Sequence, residues 1–570
     1  MIRKFLATVA IALLSVSAHA NEQWSAYIDQ FLEDYFVAHP AMAVGMGRHE
    51  FDGQLPDWSK AGIQKEIDRL KSERAKVEAF DPASLTNEQR FQREYVFAAI
   101  DRQLFWMDEA EWPFRNPAFY FDWMLDSIAP STYVNLNYAP LEERARAYIT
   151  WANNVPTATA QIRDNLRMPM ARSVLKYGID SFGGFASYMQ GDVMLAFADI
   201  EDAALKKEFA EANARAISAF EALTAWLESH RETATEDYAL GPELFKRMVY
   251  ATERVDIPLS ELKAIGVADM RRNQVALAKA CEEFAPGKSI RDCFAKMANR
   301  KPEGGSVVAA RRQLTELKAF MVEQDLVSVP GTEEALVEES PPYARSNFAF
   351  INIPGPYEKN QPSTYYISPP NPEWSEEVQR AYVAGESDLL FTSVHEVWPG
   401  HFLNFLHANR ADFNFGRVFV TYAFGEGWAH YTEELMLEAG LRGADPETRI
   451  GQISNALLRN VRYLSAIGLH TEGMSVEESR QMFITEGYQS EGTAEQQANR
   501  GTYDPAYLNY TMAKLMIRQL RDDWTASRGG RKAWREFHDE FLSYGGPPIP
   551  LVRGAMMGTE PAAVFYRADK

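Results

Sequence analysis

His395-Glu396-Val397-Trp398-Pro399-Gly400-His401 is followed, after 24 intervening residues, by Glu426-Gly427-Trp428-Ala429-His430-Tyr431. The nearest chemical template is His-Glu-x-x-His, in which two imidazoles on one helix face bind a metal and the glutamate takes a proton from water. Here the spacing is two residues longer. On a regular helix six residues advance roughly 600°, about 240° beyond a full turn, so His395 and His401 would not share a face. Pro399 removes a backbone donor and clashes with the carbonyl four residues earlier, and Gly400 frees the chain to bend. The stretch therefore predicts a helix over 387–409 that is broken or bulged at Pro399-Gly400, swinging His401 back toward His395.

A catalytic zinc site needs imidazole or carboxylate donors converging tetrahedrally with one position left for water. His395, His401 and Glu426 are the expected ligands, with Glu396 as general base. Five of the ten histidines (His395, His401, His407, His430 and His470) crowd into 76 residues. Taken alone, His395 would read as a hydrogen-bonded core histidine, and Glu426 as a carboxylate favoured near a helix start. Gly425 and Gly427 argue instead for a close-packed position. His407 reads as structural. His430 and Glu433, on the Glu426 helix, are placed to orient a ligand.

Around this centre the chain reads as mainly helical, from apolar spacing and strong helix formers over 60–79, 87–110, 142–168, 204–229, 258–283 and 306–323. Helices are also expected over 418–439, 447–470, 475–486 and 505–527. Two aromatic, β-branched runs bounded by Pro and Gly, 348–353 and 363–368, predict short strands just before the metal-binding helix.

With 46% hydrophobic and 24% charged residues, the 570-residue chain has an ordinary globular composition, unlike a disordered or multi-span membrane protein. Residues 1–20 read as a secretory signal: Arg3 and Lys4, an apolar run from Phe5 to Val16, then Ala18-His19-Ala20. That run is too short to span a bilayer comfortably, and Asn21 rather than Cys follows, so no lipid anchor is suggested. The net charge of −20 works against nucleic acid and anionic lipid as partners. The expected location is periplasmic, without stable membrane insertion of the mature chain; the oligomeric state is left open. Cys281 and Cys293 flank Ala285-Pro286-Gly287, a turn that can bring them together, and export would favour a disulfide over two buried thiols.

The pattern His-Glu-x-x-Pro-Gly-His with Glu-Gly-Trp resembles a bacterial domain-of-unknown-function family that is similar to gluzincin zinc peptidases of the helical dipeptidyl carboxypeptidase and oligopeptidase type. The resemblance runs from His39-Pro40 through Tyr365-Tyr366, Gly468-Leu469-His470 and Tyr503-Asp504-Pro505 to Phe537-His538-Asp539. It implies a two-lobed helical peptidase with zinc in a deep cleft, an amino-terminal lobe over about 21–340 and a catalytic lobe over about 341–570. The substrates would be small peptides, attacked by a carboxypeptidase or oligopeptidase. Glu396 would activate water and pass its proton to the leaving amine, and the strand at 348–353 would pair with an extended substrate. Tyr503 and Tyr510, seven residues apart, are candidates to stabilise an oxyanion; Arg462 and His470 are candidates for substrate contact. A zinc hydrolase of another amide or ester, and a helical binding protein with a degenerate site, are the competing readings.

Overall fold

The computed structural model describes residues 22–121, 126–340, 345 and 348–567; the signal segment lies outside them. Helices dominate, and their starts are written locally. Ser59 caps Lys60–Ala79, Asp202 caps Ala203–Glu228, and Thr86 with Gln89 forms a reciprocal capping box on Asn87–Leu104. Each cap satisfies backbone N–H groups that a helix start would otherwise leave bare.

Up to about residue 228 these helices bury one apolar cluster around Phe36, Leu70, Tyr148 and Phe220. From Pro242 onward the chain builds a second, around Leu277, Leu317, Phe391, Trp428 and Leu520. Within it, α1 (Leu259–Phe284) lies against α5 (Pro446–Thr471), and α4 (Tyr422–Glu438) against α6 (Asn509–Ala526). A disulfide joins Cys281 on α1 to Cys293 on the following helix, Ile290–Ala298. Among the described residues no helix is long and apolar enough to cross a membrane.

Among the described residues the strand element has three members rather than two. β1 (Leu336–Glu339) runs parallel to β3 (Thr364–Ile367), and β2 (Ala349–Asn352) pairs antiparallel on the other side of β3. β2 is thus an edge, in register Ile351 opposite Tyr365. The helix expected over 387–409 is two: α2 (Glu386–Glu396) and α3 (His401–Ala408), separated by the turn at 397–400. The helix expected over 418–439 starts later, as α4, after the separate short helix Asn414–Val418, and 505–527 divides into a short 3-10 turn, Pro505–Leu508, and α6.

Candidate metal centre

His395 is in the last turn of α2, His401 opens α3, and Glu426 lies one turn into α4. Gly400 makes the turn between the two histidines possible. A Cβ there would stand 1.8 Å from the His395 carbonyl oxygen, so only glycine permits this approach. The turn is fastened from α4, where Trp428 Nε1–H donates to the Pro399 carbonyl at 2.8 Å. Gly427 lets α4 meet α6, since a Cβ would lie 2.1 Å from that of Ala513. The close packing read from both flanking glycines holds for Gly427 only: beside Gly425 a Cβ would meet nothing nearer than Val420 Cγ1 at 3.8 Å.

These elements bring the three donors together. Glu426 Oε2 lies 3.2 Å from His395 Nε2 and 3.3 Å from His401 Nε2. Donors bound at roughly 2.0–2.1 Å around a tetrahedral zinc stand roughly 3.3 Å apart, which these separations match. No other set of three such side chains among the described residues converges in this way. The donor chemistry agrees with the spacing. His395 Nδ1–H donates to Glu433 Oε1 at 2.8 Å, and in the neutral ring that hydrogen bond keeps Nε2 as the nitrogen able to bind a metal.

Glu433, fully buried, holds this arrangement from behind. Its other oxygen accepts from His430 Nδ1 at 3.2 Å, and Arg459 Nη2 stands 3.4 Å from Oε1. Burial opposes its charge, but Arg459, His430 and His395 outweigh that and hold its pKa well below the usual carboxylate range. His430 touches the centre only through Glu433, and burial drives its own pKa down to about 4. Arg459 is the residue that sequence reasoning missed. It lies three positions before Arg462 on α5, close to one turn away, and only the packing of α5 on α2 distinguishes the two.

Glu396 is fixed by the strand element: Ile351 N–H on β2 donates to its Oε2 at 3.1 Å. Burial raises the Glu396 pKa against the pull of His401 and His395. Since Phe348 C=O accepts from Ser368 beyond β3, alternation turns the N–H and C=O of Ala349 and Ile351 to the outer side of β2. That edge, which pairs with no strand among the described residues, therefore runs beside Glu396, with Ile351 N–H already given to it.

The remaining candidates separate. The Tyr510 ring stacks 6.4 Å from His395, and its hydroxyl has no hydrogen-bond partner among the described residues. Arg462 lies behind it, its guanidinium 5.0 Å from the Tyr510 ring and its Nε donating to Gln497 at 2.7 Å. Tyr503 is elsewhere, stacked on Tyr177 at 3.8 Å. It ends the helix Glu491–Tyr503, and the 3-10 turn that follows destroys the seven-residue register with Tyr510. His470 is also away from the centre: Nε2 donates to the Gly501 carbonyl at 2.7 Å and Nδ1 accepts from Leu240 N–H at 3.3 Å. Eight residues past Arg462 is about 12 Å along a helix, so it ties helices together. His407 is likewise structural, bound to the Ser328 carbonyl at 2.9 Å.

The family model described as "Bacterial protein of unknown function (DUF885)" matches residues 40–556. The chain belongs to this family. Two solved structures share its fold. A "putative lipoprotein of unknown function from Shewanella oneidensis" has TM-score 0.77 at 23% identity, over 94% of this chain and 99% of that one. A "putative lipoprotein from Colwellia psychrerythraea" has TM-score 0.81 at 16% identity, over 95% and 99%. A "putative oligoendopeptidase F" from Bacillus anthracis reaches only TM-score 0.31 at 13% identity, over 86% and 95%, too distant to carry an argument. No curated protein matches.

Proposed function

We propose that this DUF885 chain is an exported zinc-dependent hydrolase of peptide bonds in small peptides. One observation carries the reading: two imidazole nitrogens each lie 3.2–3.3 Å from one carboxylate oxygen, beside a half-buried carboxylate, Glu396, that is not one of the three converging donors. Zinc held by His395, His401 and Glu426 would supply the Lewis acidity that polarises a carbonyl and makes water nucleophilic. Glu396, oriented by Ile351 N–H, takes the proton of the attacking water and returns it to the leaving amine. The outer edge of β2 receives the extended peptide backbone, as an edge strand can. Tyr510, whose hydroxyl is uncommitted, donates to the developing oxyanion. Export rests on the pattern of residues 1–20, supported by the description of the two fold relatives as lipoproteins. The carboxypeptidase or oligopeptidase type rests on the motif resemblance.

Zinc-loaded protein should cleave members of a panel of di- to hexapeptides. Glu396→Gln should keep its zinc while losing roughly 10² to 10⁴ in turnover, the usual contribution of a general base. A zinc-loaded protein that cleaves no peptide of the panel ends this reading.

A further inference from the structure

A cavity of about 130 Å³ opens on Glu426 from the side of the amino-terminal helices. Pockets for whole small molecules are commonly about 300–1,000 Å³, so this one has room for about one residue. Most charged groups on its wall are already matched. Asp126 binds His39, and Arg500 Nη2 stands 2.8 Å from Asp504 Oδ2. Two are not. Glu253, the last residue of the helix Pro242–Glu253, is 1% exposed. Its Oε1 accepts from Ala423 N–H at 3.2 Å and from Asn509 Nδ2 at 3.1 Å, and the Thr421 side chain lies close to the carboxyl, whereas Oε2 is in no well-formed hydrogen bond among the described residues. Arg102, on the same wall, donates to the Val420 carbonyl at 3.0 Å and forms no ion pair among the described residues.

A buried carboxylate oxygen without a donor is destabilising, and a ligand that supplies one removes that cost. A second metal is not what the wall is built for, because Glu253 belongs to no converging set of donors among the described residues. A group that offers donors to Glu253 and, a few bonds away, an acceptor to Arg102 fits both. We propose that this cavity is a subsite for an ammonium group of the substrate, received by Glu253 Oε2, with the adjoining peptide carbonyl accepting from Arg102. The small volume favours the free amino terminus, so the enzyme would act close to one end of its peptide. The proposal deepens the peptidase reading and rests on it for the placement of the rest of the chain.

The test uses zinc-loaded protein carrying Glu396→Gln, so that bound peptide persists, and calorimetric titration with Ala-Ala-Ala, N-acetyl-Ala-Ala-Ala and N-acetyl-Lys-Ala-Ala. The free peptide should bind at least about tenfold more tightly than its acetylated form, and adding Glu253→Gln should shrink that preference to about twofold or less. Recovery of affinity by N-acetyl-Lys-Ala-Ala would assign the ammonium to a side chain rather than the terminus. Equal binding of the free and acetylated peptides, absence of binding by all three, or a preference that survives Glu253→Gln overturns the subsite. Turnover by protein with Glu396 intact is read separately. Ammonium-selective binding with no cleavage refutes the peptidase reading alone, and cleavage indifferent to acetylation refutes the subsite alone.

Discussion

Gly400→Ala is the smallest change that should dismantle the metal centre. The added Cβ would meet the His395 carbonyl oxygen at 1.8 Å, its carbonyl carbon at 2.4 Å and the Val394 oxygen at 2.4 Å. Reaching even a tight 3.0 Å contact requires the chain to open by at least about 1.2 Å, whereas metal–ligand distances tolerate about 0.2 Å. The clash involves backbone rather than a movable side chain, and it lies between His395 and the residue next to His401. Relief must therefore part the two imidazoles. Zinc affinity should fall at least about 100-fold, about 2.7 kcal/mol, measured by competition with a chromogenic chelator. Helical circular dichroism should stay unchanged, since both helices remain intact on either side of the turn. Gly425→Ala is the control: it sits next to Glu426, yet its Cβ would find only Val420 Cγ1 at 3.8 Å, so zinc affinity should hold within about threefold, as no ligand is displaced. If Gly400→Ala binds zinc as tightly as that control, the turn does not set the ligand geometry and His401 is not a ligand.

Glu433→Gln should weaken zinc binding by roughly 10- to 100-fold without changing stoichiometry, read in the same competition assay, because the His395 Nδ1–H loses an anionic acceptor. Tyr510→Phe should lower turnover at unchanged zinc content, while Tyr503→Phe should alter neither; equal losses in both would remove Tyr510 from the chemistry. His39 tests the amino-terminal helices. Burial opposes its charge, but Asp126 and Glu66 raise its pKa from 6.5 to about 9. A folded pKa above the unfolded value means that this stabilisation is complete below about pH 6.5 and disappears as pH rises through about 9. Urea titrations should show an alkaline decline on the order of 3 kcal/mol that His39→Gln flattens, and an identical slope in the variant would refute the pairing.

The parts of this protein legible in the sequence are those set by neighbours in the chain. Caps such as Ser59 and Thr86, and apolar spacing along 60–79 or 447–470, specify helices through contacts a few residues apart. The histidine and glutamate side chains of the candidate centre and the break at Pro399-Gly400 are equally local, as is the turn that joins Cys281 to Cys293. What the tertiary structure decided depends on partners far away in sequence. β1 is four residues, three of them exposed, and is a strand only because β3 offers it a ladder. Arg459 rather than Arg462 backs the ligand, because α5 packs on α2 with that face. Tyr510 reaches His395 and Tyr503 does not, because a 3-10 turn between them resets the helical phase. Glu253 lies 173 residues before Glu426, and nothing near it in the chain marks it: a carboxylate ending a helix is ordinary until the fold buries it with one oxygen unpaired on the cavity wall.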